Sequence, residues 1–315
     1  MIYLILGGGL GNQMFQYAFG RFLSLKTGQE IVFNTALYDN GINKDRAFSL
    51  GYFSIPNIVI GGGKENAVQY NYFKQRTHIS RILKKILPNV IFRKIFNSKG
   101  FFFSAQGPYK YFPPTIYTGS GDIYVHGGFQ SQKYFEEVKE IVRKDFHFSF
   151  KMNDKNRDVY NAICSSNAVC LHIRRGDYLS AEYKDQLAVC GKKYYESGIA
   201  YMRKKIDRPV FFIFSNTHDD LEWIKQNYDI PKESFFVDLC NPDYMELRLM
   251  SACKHFVMSN SSFSWWAQFL SNNNNKIVIA PSIWDKRKDC DSEDIYLPQW
   301  VKINENGEII QIKLT

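Results

Sequence analysis

The stretch LHIRRGDYL, Leu171 to Leu179, gathers an imidazole, two guanidinium groups and a carboxylate within six residues, His172 to Asp177. His172 can accept, donate or move a proton. Arg174 and Arg175 can each grip a phosphate or carboxylate with two parallel N–H donors. Asp177 can orient an arginine or take a proton. The apolar run Ala168 to Ile173 leads straight into these groups, although arginine is seldom buried without a partner. In an extended strand neighbours face opposite sides, so His172 and Arg174 share one face and Arg175 points the other way. At the C-terminal end of a parallel strand, side chains reach the crevice where ligands bind. Arg174 is therefore expected on an anion, with Arg175 holding the loop through Asp177. Arg-Gly-Asp is also an adhesion tripeptide, but three residues recur by chance and that role requires export.

Two further turns offer anion-binding backbone. LGGGLGNQ, Leu6 to Gln13, follows an apolar run, Ile2 to Leu6, and opens a helical pattern. It is not a dinucleotide fingerprint. Counting from Gly7 and Gly9, the third glycine position is Asn12, and no acid closes the second strand, where Asn34 stands. No Gly-Lys-Ser/Thr follows, so it is not a P-loop either. The turn still brings backbone close to whatever lies over the helix N-terminus, with Asn12 either capping the helix or aiming an amide at a ligand. SNSSFSWW, Ser259 to Trp266, places the hydroxyls and amides of Ser261 and Ser262 at another helix start. That is a phosphate site by dipole and donors, or plain serine capping. Trp265 and Trp266 read as core.

These residues need rigid elements beneath them. In the first half, EIVFN and DIYVHG read as strands, Asn12 to Lys26 as a helix closed by Gly28, and SQKYFEEVKEIVRKDF as an amphipathic helix. In the second half AVCLHI, PVFFIFS, SFFVDL, HFVMS and KIVIAP alternate with helical patterns. Thr217 is the expected cap of one helix; Asn241 caps another with Pro242 at its first position. Buried runs alternating with helices predict an α/β chain with mainly parallel sheets in two Rossmann-like domains, residues 1–155 and 156–315. NNNN, Asn272 to Asn275, reads as a loop.

A chain of 315 residues, 45% hydrophobic and 23% charged, can build two cores. The 16% aromatic content fits aromatic cores or a stacking surface for sugar or base. The six cysteines include no CxxC pair and no zinc spacing. The opening MIYLILGGGLGNQ lacks the basic region and small-residue cleavage site of a signal peptide, so a cytoplasmic chain with free thiols is expected. The net charge of +9 is uneven: between Asn66 and Gly121 there are nine Lys and Arg and no acid. Ile79, Ile82, Leu83, Ile86 and Leu87 interleave with Arg81, Lys84 and Lys85 at helical spacing, up to Pro88. Such a helix covers its own core, or lies on anionic lipid. Nucleic acid is another partner for basic charge, but no other motif supports it.

GGLGNQMFQYA, HIRRGDY and SNSSFSWWA in this order, with GGFQSQKYF from Gly127 to Phe135, resemble the bacterial α-1,2-fucosyltransferases of glycosyltransferase family 11. The resemblance runs from Leu6 to about Pro281 and is weakest in the basic stretch. It implies a GT-B fold, two Rossmann-like domains facing a central cleft, with residues 1–155 on the acceptor side and 156–315 binding GDP-fucose. It implies inverting transfer of fucose to the 2-hydroxyl of a terminal galactose, without a metal or other cofactor. Arg174 falls on the β-phosphate, with Arg175 in support and His172 reaching fucose or phosphate. Ser261 and Ser262 hold phosphate oxygens, and Glu246 meets the guanine edge, with Asp243 as the alternative. Asn12 lines the cleft; Gly11, Ser215 and Asn216 complete the donor set. The base is Asp177, His126 or the leaving phosphate oxygen itself. The DCD triplet, Asp289 to Asp291, has metal-binding spacing but sits in a late charged loop. A lipid-linked O-antigen or capsule unit is the expected acceptor carrier, with peripheral membrane contact through residues 74–99 and no nucleic-acid partner.

Overall fold

The computed structural model describes residues 1–39, 41, 46–56, 58–104, 107–179, 184–187, 190–288 and 290–310. The chain divides into two compact units, Met1–Ser149 with Glu293–Ile295, and Phe150–Ser292 with Tyr296–Thr315. The division falls before residue 155 because Phe150 packs with the second unit. Its carbonyl accepts from Arg248 Nη1 at 2.6 Å and its ring lies 4.8 Å from that of Tyr244.

The first unit is a five-stranded, wholly parallel sheet in the order β3-β2-β1-β5-β4. The strands are β1 (Ile2–Ile5), β2 (Ile31–Asn34), β3 (Ile58–Ile60), β4 (Phe101–Phe103) and β5 (Ile123–His126). The helices are α1 (Leu10–Thr27), α2 (Ala36–Asp39), α3 (Gly63–Ile86), α4 (Asn89–Asn97) and α5 (Lys139–Asp145). Gly28 ends α1 at φ 72°, donating its N–H to the Ser24 carbonyl, as the sequence predicts. The break at Pro88 is also where expected, between α3 and α4, although α3 starts well before the basic pattern. The side chains of residues 77–86 lie outside the described residues.

The expected long helix after β5 is instead two 3-10 turns, Gln132–Tyr134 and Glu136–Val138, followed by the short α5. Phe135 leaves the helical region at φ −136°. That turn lets Tyr134 pack on Phe19 and Phe129 while Phe135 packs on Phe15.

The second unit holds seven strands in the order β12-β11-β10-β9-β6-β7-β8, parallel except for the β11–β12 pair. They are β6 (Asn167–His172), β7 (Pro209–Phe214), β8 (Phe235–Phe236), β9 (His255–Val257), β10 (Val278–Pro281), β11 (Val301–Ile303) and β12 (Ile309–Ile310). The helices are α6 (Asp154–Cys164), α7 (Lys184–Leu187), α8 (Lys192–Lys205), α9 (His218–Asn227), α10 (Asp243–Ala252) and α11 (Ser262–Leu270). α6, α7, β11 and β12 were not among the expected elements, and β8 is an edge strand of two residues rather than six. Strands this short carry no readable period.

Thr217 caps α9 as expected, accepting from Asp220 N–H at 3.1 Å. Asn241 does not cap α10, whose N-cap is Pro242. Its amide exchanges two 2.9 Å hydrogen bonds with the amide of Asn156 on α6, and that pairing outcompetes the cap.

The short turn Glu293–Ile295 completes the first unit, although its flanking residues belong to the second. Asp294 accepts from the Tyr111 N–H at 2.8 Å and from Lys133 Nζ at 2.6 Å, with Lys110 Nζ at 3.7 Å. Burial raises its carboxyl pKa, but these donors overcome that and leave it below the usual value. Asp294→Ala removes a nearly enclosed, charge-assisted acceptor. It is expected to cost about 1–2 kcal/mol and lower Tm by several degrees in a thermal melt. An unchanged melt would show that the turn rests on its apolar contacts alone.

Candidate functional site

β6 lies between β9 and β7 with every residue after Asn167 buried, so its C-terminal end is a rigid mount. His172 ends the strand, 5% exposed. Its Nδ1 shares hydrogen bonds with the hydroxyls of Ser264 and, at 3.1 Å, Ser259. Those two hydroxyls are 3.2 Å apart, forming a closed buried cluster. Burial pushes the imidazole down to about 3, and the Arg174 guanidinium acts in the same direction. His172 is thus neutral at ordinary pH, tied into the β9–α11 turn.

The two arginines part as strand alternation predicts. Arg174 Nη1 donates to Ser261 Oγ at 3.3 Å, and its guanidinium lies 4.7 Å from the centre of the Tyr178 ring. Arg175 goes to α9. Its guanidinium lies 3.3 Å from the centre of the Trp223 ring, and Nε is 3.4 Å from Asp220 Oδ1. Among the described residues the carboxylate against Arg175 is Asp220. The backbone of Asp177 belongs to the 3-10 turn Gly176–Leu179, and its side chain lies outside the described residues.

Ser261 is the N-cap of α11, its Oγ accepting from Phe263 N–H at 3.3 Å, and Ser262 is the first helical residue. Arg174 and a helix N-terminus thus converge, and both favour negative charge. Asn260 locks the turn by donating to the Leu187 and Trp284 carbonyls, each at 2.9 Å. Tyr178 O–H donates to the Asn260 carbonyl at 3.0 Å. Tyr178 therefore both faces Arg174 and fastens its loop to the serine turn, a role the sequence reading missed. Its only signal is its place four residues after Arg174. Trp265 and Trp266 are wholly buried, as expected.

Ser215 Oγ donates to the Ile173 carbonyl at 2.8 Å, so it braces the strand end. Asn216 is exposed and lies against Gly176, where an added Cβ would sit 3.2 Å from its Nδ2. Glu246 lies in the first turn of α10. Burial raises its pKa to about 8, with Asp238 and then Asp243 adding to the effect. A carboxyl poised there changes charge within the physiological range when a hydrogen-bond donor approaches. Among the described residues no three His, Cys, Asp or Glu side chains gather as a metal site; Asp289 lies outside them.

Asn12 and Gly11 belong to the first unit, inside α1. Gly9 is the N-cap, so Asn12 is not. Its Oδ1 accepts from Gln130 Nε2 at 2.9 Å, in the loop after β5. Gly8 has φ 77°, and a Cβ there would fall 2.3 Å from Asn12 Nδ2, so only glycine fits. Gln13 and Tyr38 donate to the Gly8 carbonyl at 3.2 and 2.7 Å, fixing the turn from both sides. His126 ends β5 with Nδ1 3.2 Å from the Ile5 carbonyl. Only an N–H can face that oxygen, so the proton is on Nδ1 and Nε2 keeps its lone pair. Burial lowers its pKa, partly opposed by this hydrogen bond.

The family model described as Glycosyl transferase family 11 matches residues 1–304. An Escherichia coli α-1,2-colitosyltransferase is 32% identical over 95% of this chain and 97% of its own length. An E. coli O-antigen biosynthesis glycosyltransferase, WbnK, is 28% identical over 90% and 94%. Among solved structures, NodZ α-1,6-fucosyltransferase co-crystallised with GDP superimposes with a TM-score of 0.52 at 10% identity, covering 98% of this chain and 96% of that one. That similarity concerns the fold.

The buried neutral His172 makes a stability prediction. Its folded pKa, about 3, lies below the unfolded value of 6.5. Below pH 6.5 the unfolded chain takes up a proton that the folded chain refuses. Stability is therefore lost as pH falls from 6.5 toward 3, by up to about 1.4 kcal/mol per pH unit from this group. His172→Asn, which lacks the titration, should lose stability less steeply between pH 6.5 and 4 in denaturant melts. Parallel pH profiles for the two proteins would contradict the assignment.

Proposed function

Because the chain belongs to glycosyltransferase family 11, we propose that it transfers L-fucose from GDP-β-L-fucose to the 2-hydroxyl of a terminal galactose, with inversion and without a metal. The observation that carries this reading is the convergence of Arg174 and the Ser261–Ser262 start of α11, both of which favour negative charge. GT-B architecture belongs to the same reading, with the first domain taking the acceptor and the second the donor.

In this mechanism the galactose 2-oxygen bonds to the anomeric carbon as that carbon's bond to the β-phosphate oxygen breaks. The electron pair of the broken bond leaves with GDP. Negative charge grows on the diphosphate, where Arg174 and the α11 amides stabilise it, the work a divalent cation does elsewhere. Arg175, Ser215 and Asn216 hold the loop that carries Arg174. His126, with a free Nε2 lone pair and a lowered pKa, is the base for the acceptor proton. Glu246 accepts from the ring N–H and amino group of guanine. The O-antigen biosynthesis relative supports an O-antigen glycan as acceptor; in this reading the acceptor is a lipid-linked galactoside and the reaction runs at the inner face of the cytoplasmic membrane.

One observation favours a second donor. The relative sharing 32% identity is a colitosyltransferase. Colitose is fucose without its 3-hydroxyl, so leaving group and anomeric chemistry are unchanged and only contacts to O3 discriminate.

The test is a transfer assay with GDP-fucose or GDP-colitose, a galactoside panel and EDTA, followed by linkage analysis. Transfer of fucose in α-1,2 linkage, undiminished by EDTA, is expected. Colitose transfer alone supports the second donor, and transfer of neither overturns both. Arg174→Ala should lower kcat by about 10²–10³ or more, and His126→Gln by about 10²–10⁴.

Glu246 adds a pH test by direct GDP binding. Guanine's donors bind the carboxylate, which is the minor form below its pKa of about 8. Affinity should therefore rise from pH 6 to 8 by up to about tenfold per unit and then level off. Glu246→Gln should remove the slope. Flat affinity in the unaltered protein would remove Glu246 from the guanine site.

A further inference from the structure

The basic segment has a second property that its charge pattern does not reveal. α4 buries Phe92 and Phe96 against Phe103 on one face. Its opposite face presents Val90, Ile91 and Ile95, which are 72%, 49% and 37% exposed, with exposed Lys94 between them. A helix on the surface of a water-soluble fold normally turns polar residues outward. Here apolar side chains face both ways, aromatic inward and aliphatic outward. Exposed Lys99 follows α4, and α3 carries exposed Lys74 and Arg76. Arg81, Lys84 and Lys85 occupy the last turns of α3, and no acid occurs between Asn66 and Gly121. Arg93 is the exception, drawn inward with its guanidinium 3.2 Å from the centre of the Phe112 ring.

We infer that the outer face of α4, with exposed Lys94 and Lys99 on and beside it, docks this chain on an anionic membrane surface. The occupant follows from the two chemistries together. A second copy of the chain would bring like charge against like charge. Nucleic acid would satisfy the cations but leave three aliphatic side chains against phosphate. A zwitterionic bilayer would take the aliphatics and leave the charge unmatched. Only an anionic lipid surface accepts both, with Val90, Ile91 and Ile95 below the headgroups and the cations among them. α4 has nine residues, and no helix among the described residues is long and apolar enough to cross a membrane, so the contact lies in the plane of the surface. This inference does not depend on donor or linkage.

Flotation of the full chain with phosphatidylglycerol-containing vesicles, and with pure phosphatidylcholine vesicles, tests it. Co-flotation with the anionic vesicles is expected, weakened by salt, and at least about tenfold less with the neutral ones. The triple variant Val90→Ser, Ile91→Ser, Ile95→Ser and the double variant Lys94→Glu, Lys99→Glu should each cut binding by about tenfold. The double variant should melt at the temperature of the unaltered protein, since Lys94 and Lys99 are exposed. No flotation with anionic vesicles would overturn the inference. So would flotation that neither variant reduces, or a dimer in solution that the triple variant dissociates. Single-stranded RNA binding unaffected by the triple variant, without vesicle binding, would instead assign the face to nucleic acid.

Discussion

Two guanidinium groups leave the end of one buried strand, and the second unit is arranged around keeping them apart. Side by side in a common environment they would repel and share one set of acceptors. Alternation along the extended chain sends them to different neighbours instead. Arg175 is absorbed by the fold, flat against Trp223 and beside Asp220. Arg174 is directed at the capped end of α11. The residue before them, His172, can share this space only if it is neutral. Burial in the Ser259–Ser264 cluster and the nearby arginine both enforce that. The strand end therefore carries one directed positive charge rather than three competing ones.

The glycine turn of the first unit solves the opposite problem. A loop of Gly7, Gly8 and Gly9 has little of its own to fix its shape. Its geometry comes from side chains that reach back from α1 and across from neighbouring elements. Gln16 meets both the N–H and the carbonyl of Gly7, while Gln13 and Tyr38 meet the Gly8 carbonyl. Gly8 must lack a side chain because Asn12 fills the space that one would occupy. Asn12 is in turn fixed by Gln130. The turn is rigid because of residues that a reading centred on its glycines ignores.

This separates what was legible in the sequence from what was not. The alternating buried runs located β6, β7, β9 and β10 and the helices between them, because burial on both sides leaves a continuous apolar signal. Gly28 and Thr217 were legible as caps because their partners are a few residues away along the same chain. Asn241 was not, because its partner Asn156 is eighty-five positions distant and local propensity knows nothing of it. Asp220 against Arg175, Tyr178 against Arg174 and Asp294 against Lys133 were hidden in the same way: each depends on where another element arrives. The break at Phe135 was hidden because an amphipathic pattern continues through it. Residue types at the candidate site were therefore readable, and their partners largely were not.

Charge is handled differently in the two units, and the difference bears on function. Around β6 cations are few, half-buried and directed, which suits recognition of a group with defined geometry. Along α3 and α4 they are many, Lys74, Arg76 and Lys94 are exposed, and no acid lies in sequence between Asn66 and Gly121, which suits a surface that has charge but no fixed geometry. Arg93 marks the boundary between the two regimes. Taken inside and stacked on Phe112, it has its pKa lowered by burial and serves the core of its own unit. Its immediate neighbour Lys94 remains in water. Net charge alone would count these two residues as equivalent; burial assigns one to the fold and leaves the other to whatever the surface meets.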